Sequence, residues 1–166
     1  MEPAGSNSPF SEEERRRIRE SWVLLVPLAD LFALTLYRRL FEAAPHLRNR
    51  FHTDLGTQSR GVFEAFAGAV AALADWNRIR PALAALGRRQ AYAGVMEEDL
   101  AFLRIALHRT FEDLLGPSYG SGERVAWDRV FQVVSEEMLS GLRSVESETK
   151  DCDTTRFFRD RGANPP

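Results

Sequence analysis

Three histidines, one cysteine and several runs of carboxylates are the residues of this chain with obvious chemistry to offer. His46 follows Pro45 at an expected helix start and reads as a surface residue. His108 sits beside Leu107, at the edge of an apolar helix face, on a stripe with Ala101, Ile105 and Glu112. That placement suits a partly buried histidine held by hydrogen bonds. Glu12 to Glu14, Glu97 to Asp99 and Glu136-Glu137 could pass for metal or acid–base groups. They fall at helix starts or on polar faces, where capping and solvation account for them. No Cys/His spacing suits a metal. No phosphate-binding glycine loop or nucleophile elbow occurs. Cys152 is the only cysteine, so it forms no internal disulfide, although oxidation could join two chains through it.

Composition narrows the class further. A chain of 166 residues, 44% hydrophobic and 28% charged, suits one domain with one core. A net charge of −2 gives no reason to expect nucleic acid or a membrane as partner. The start lacks the apolar core of a secretory signal, so a cytoplasmic protein is the expectation.

Apolar spacing predicts a string of helices. Residues 1–10 read as a flexible arm. Ser11 with Glu14 is a capping-box signature, and a first helix follows to about Val26, with Ile18, Trp22, Leu25 and Val26 facing in. Pro27 breaks it. A second helix spans about Leu28 to Ala44, with Leu31, Leu34, Tyr37, Leu40 and Phe41 as its stripe. A third spans about Thr57 to Asp75, and a fourth runs from Arg80 to about Tyr92, closed by Gly94. The fifth covers about Met96 to Leu115 and the last about Ser121 to Val145. Residues 11–146 form the folded domain, and the polar stretch 147–166 reads as a disordered tail. The class is all-α.

Several segments carry a family resemblance. They are Glu20-Ser21-Trp22, Leu36-Tyr37-Arg38-Arg39-Leu40-Phe41, Pro45 followed by Phe51, Gln58-Ser59-Arg60, Leu115-Gly116-Pro117 and Ala126-Trp127. To these adds the run Leu86-Gly87-Arg88-Arg89-Gln90-Ala91-Tyr92-Ala93-Gly94-Val95. In order and spacing they resemble the globin family, in particular neuroglobin-like and single-domain bacterial haemoglobins, over roughly residues 12 to 145. The resemblance implies helices packed three over three around a haem-type pocket.

It also implies site residues. Tyr37 and Gln58 take the distal polar positions, where they could hydrogen-bond a diatomic ligand. Phe51 would stack on the porphyrin, and Val62, Leu86, Val95 and Leu107 would line it. Arg89 could approach a propionate. Gln90 stands where the family carries the histidine that ligates iron. An amide is a poor ligand for haem iron. A tyrosine and a glutamate that often orient that histidine are matched by Leu100 and Leu142. His52, beside the corner phenylalanine, is the alternative ligand, and Tyr92 points elsewhere on the helix. The expected cofactor is haem b, or none, and the expected partner is O2, NO or CO. The alternative is a haem-free sensor or interaction module with an empty or lipid-binding pocket. Enzymatic activity is expected at most as NO dioxygenase- or peroxidase-like turnover. A homodimer, or another protein docked through the tail with Phe157-Phe158, is the other partner expectation.

Overall fold

The computed structural model describes residues 8–50, 55–92 and 96–161, without the side chains of residues 50, 55–62, 146 and 148–161. Six α-helices follow in chain order: α1 Glu12–Leu25, α2 Ala29–Ala43, α3 Leu55–Ala71, α4 Arg80–Tyr92, α5 Asp99–Leu115 and α6 Ser121–Arg161. Short 3-10 turns join several of them, and no strand occurs among the described residues.

The capping box at α1 forms: Glu14 N donates to Ser11 Oγ at 3.2 Å, and Ser11 N donates to Glu14 Oε2 at 2.7 Å. Burial of α1's apolar face then brings Trp22 against Phe63, ring on ring at 4.7 Å. Phe32, Phe66, Phe111 and Trp127 complete an aromatic centre shared by α2, α3, α5 and α6. A buried indole needs an acceptor. Trp127 Nε1 donates to Ser21 Oγ at 2.9 Å, which ties α6 to α1. Gly116, at φ 51°, ends α5 in a conformation that favours glycine.

The closest helix crossing is that of α4 on α6. A Cβ at Gly87 would stand 2.0 Å from the carbonyl oxygen of Met138, and one at Gly141 would stand 2.0 Å from that of Ala84. The two backbones therefore meet with no side chain between them. α2 packs on α5, where Arg39 grips Asp113 through two bonds of 2.7 Å.

Several boundaries differ from the sequence reading. Leu31, Leu34 and Val26 are not core: they are 50%, 58% and 51% exposed. α2 instead buries Phe32, Ala33, Leu36, Tyr37 and Leu40. Both sides of this helix are apolar, so spacing alone did not show which would turn inward. The arm is anchored at its end, because Ser8 Oγ donates to the Leu73 carbonyl and Phe10 is buried edge-on against Trp76 at 5.1 Å. α6 continues through residues 147–161, which the sequence reading assigned to a disordered tail. No proline or glycine interrupts it between Gly141 and Gly162, so polar composition did not stop the helix. α5 begins at Asp99, not near Met96. Gly94, the expected close of α4, lies outside the described residues.

The α4–α6 crossing sets a test. Gly87→Val must push the two backbones apart and should lower unfolding free energy by about 3 kcal/mol in urea titration. Gly68→Ala, whose Cβ would meet Ile79 Cδ1 at an ordinary 3.4 Å, should not lower it.

Candidate functional site

The crossing on α6 also decides which way α4 faces. Ala84, Gly87 and Arg88 are turned to α6 through the contacts with Met138 and Gly141. Leu83, Leu86 and Gln90 lie roughly a third of a turn round the helix from that seam. Leu83 is buried, while Leu86 and Gln90 are half-buried. α3 is held elsewhere, packed on α2 and α1. Gly68 of α3 faces Ile79, just before α4 begins, while the main packing partners of the two helices lie elsewhere, α2 for α3 and α6 for α4.

Among the expected site residues, Tyr37 on α2 is 7% exposed and stacks on Phe41 at 5.9 Å. Burial raises its phenol pKa, so the hydroxyl keeps its proton. Leu107 on α5 is fully buried. Arg89 is exposed on α4. Gln58 and Val62 belong to α3, but their side chains lie outside the described residues, and Phe51, His52 and Val95 lie outside them altogether. Leu100 and Leu142 are 6% and 5% exposed and belong to the apolar core.

A model of one family matches residues 34–138: the globin model. That is more than half of the sequence. The chain is a globin. It is 28% identical over 146 residues to the neuroglobins of Tetraodon nigroviridis and Danio rerio, which covers 80% of this chain and 92% of each relative. It superposes, at a TM-score of 0.76 and 19% identity, on an engineered carbene transferase, a putative nitric oxide dioxygenase from Rhodothermus marinus. That match covers 85% of this globin and 99% of the other chain. A hexacoordinated haem protein from an anhydrobiotic tardigrade matches at a TM-score of 0.76 and 13% identity, over 84% and 99% of the two chains. At such identities the two structures speak for the fold, which is all-α and globin.

Of the described residues expected to hold a haem, Leu86 and Leu107 are apolar and Tyr37 is a buried phenol, types that suit the group. The axial side does not suit it as well. Gln90 is a neutral amide, whose nitrogen lone pair is delocalised and whose oxygen is a weak donor to iron. The two described histidines are committed elsewhere. His46 Nε2 pairs with Asp99 Oδ1 at 3.0 Å, and Asp99 also accepts the Met96 amide at 2.9 Å. His108 is buried with both ring nitrogens engaged, by the Tyr119 hydroxyl at 2.5 Å and by Asp128 Oδ1 at 2.6 Å. Arg104 closes this cluster with two bonds to Asp128 of 2.8 and 2.9 Å.

The sequence reading expected His108 to be a partly buried histidine held by hydrogen bonds, and it is buried with both ring nitrogens engaged. The burial of Asp99 and the rest of the cluster, its partners Tyr119 and Asp128 and the link to Arg104, were not visible in that reading. An open cleft of about 600 Å3 lies beside it, between α5 and α6, but none of Tyr37, Leu86, Gln90 or Leu107 lines that cleft.

Hydrogen bonds from Arg104, opposed by burial and joined by those of His108, lower the Asp128 carboxyl pKa to about 2. A depressed carboxyl stabilises the fold fully above its ordinary range and loses that contribution as pH falls through its folded value. Between about pH 4 and 2 the wild type should therefore lose stability more steeply than Asp128→Asn, as read by urea midpoints across that window.

Proposed function

We propose that this globin holds haem between α3 and α4 and binds or senses a diatomic gas, O2, NO or CO, with Gln90 in place of the usual proximal histidine. The observation that carries the proposal is the buried phenol of Tyr37 in a chain of the globin family. Haem, when bound, supplies the iron to which such a gas attaches. The protein's share is to shape the pocket and place polar atoms in it. Leu86 and Leu107, with Phe51, Val62 and Val95, would exclude water from the porphyrin faces. Tyr37 and Gln58 would offer hydrogen-bond donors on the distal side. Arg89, already exposed to solvent, would pair with a propionate at the pocket rim. Gln90 would contribute an amide that hydrogen-bonds but ligates weakly, so retention would depend on burial more than on an axial bond. That arrangement suits reversible sensing better than tight carriage.

A second reading has its own support. His46 and His108 are occupied by carboxylates, and Leu100 and Leu142 offer no polar support to the proximal side. These favour a globin fold that has given up haem and works as an interaction module or takes another apolar ligand.

Titration of the purified chain with hemin separates the two. The haem proposal expects a saturable Soret band that shifts with CO. It also expects Gln90→His to tighten haem retention at least about tenfold, since an imidazole adds an axial bond. A chain that stays colourless with excess hemin, while Gln90→His gains the band, would establish the haem-free reading. On the haem-loaded protein, Tyr37→Phe should speed O2 dissociation about tenfold, the loss of one good hydrogen bond. An unchanged off-rate would remove Tyr37 from the distal role.

A further inference from the structure

The corner where α1 turns into α2 is apolar on the outside. Val23 is 67% exposed, Leu24 48%, Val26 51%, Leu31 50% and Leu34 58%. Pro27 between them is also exposed. Scattered exposed leucines are ordinary, but five large apolar side chains, each about half exposed or more, between Val23 and Leu34 at one helix corner mark an interaction surface. Its origin is plain in the sequence. An 18-residue window within Glu12–Ala43 reaches a mean hydropathy of 1.4, and 44% of it is buried. The inner half fills the core, and the outer half has the same composition.

Two charges flank this patch. Arg19 stands on α1, one turn before Val23, and Asp30 stands on α2, one turn before Leu34. Both are exposed, and neither has an ion-pair or hydrogen-bond partner among the described residues, whereas the neighbouring Arg16 is held by Glu13 and Glu20. A twofold axis pairs residue i of one copy with residue j of the other, and j with i. A twofold that brings Arg19 of one copy to Asp30 of the next brings Asp30 of the first to Arg19 of the second as well.

We propose that the α1–α2 corner is the interface of a symmetric homodimer of this globin. A specific interface buries about 1,200 Å2 or more in total, so the apolar corner and its polar rim must both be covered. The charges argue against a lipid surface as the occupant. A membrane-binding face is ringed by basic residues, whereas Glu20 and Asp30 sit on this rim beside Arg19 and Arg38.

Sedimentation velocity of the full chain between about 1 and 100 µM tests the proposal, with far-UV circular dichroism confirming that each variant folds. We expect a reversible dimer in that range. Leu34→Glu and Val23→Glu, on side chains already exposed, should each raise the dissociation constant at least about tenfold. Arg19→Glu and Asp30→Arg should each weaken self-association at least about threefold, and an equimolar mixture of these two variants should pair as tightly as the wild type. A monomer at the highest concentration overturns the proposal, as does a dimer indifferent to Leu34→Glu. So does a monomer that cosediments with phosphatidylglycerol vesicles and loses that binding in Leu34→Glu. None of these readouts depends on haem.

Discussion

The backbone contact between α4 and α6 is the constraint on which the candidate site rests. Gly87 lies on Met138 and Gly141 lies on Ala84, each too close for any side chain to intervene. Close-packed interiors do not slide to a compromise. Once α4 is pressed onto α6, its seam residues are used up and Leu83, Leu86 and Gln90 are turned away from that seam. α3 is claimed in the same way by α2 and by the aromatic centre around Trp22 and Phe32. α3 and α4 are thus each held chiefly by other helices.

On the proposed haem reading, that geometry is at odds with the chemistry of one side chain, because Gln90, the residue proposed for the proximal position, is an amide. Burial keeps Tyr37, proposed for the distal side, a hydrogen-bond donor. The other described histidines cannot readily substitute for the missing imidazole, because each is bound to a carboxylate whose release would leave a polar group without its partner. His108 in particular is part of a four-residue cluster that links α5 to the start of α6. The two described histidines stabilise structure, and on the proposed reading the pocket's character depends on burial and on Tyr37.

Much of the fold was legible in the sequence. The Ser11–Glu14 cap, the break at Pro27 and the apolar spacing of the fifth helix are local signals, and each marks a real element. The ordered matches from Glu20-Ser21-Trp22 to Ala126-Trp127 pointed to the family that the full comparison bears out. The errors share a cause. Leu31 and Leu34 on α2 and the stretch after Val145 on α6 were judged by composition, and composition does not say which apolar face finds a partner or whether a polar helix continues. The docking of Phe10 on Trp76 is a contact between residues far apart in sequence, and no local pattern announces it.

What the sequence determined by itself was the list of helices and the identity of the atoms at the key positions: an amide at 90, a phenol at 37, hydrocarbon at 86, 100, 107 and 142. These follow from short-range periodicity and covalent chemistry, which need no partner to be read. Tertiary structure alone decided that His108 and His46 belong to carboxylates, that Gln90 is turned off the α6 seam, and that Val23, Leu24, Leu31 and Leu34 face outward. Each of these is a choice among several local solutions of similar energy, and it is settled only when distant segments compete for the same surface.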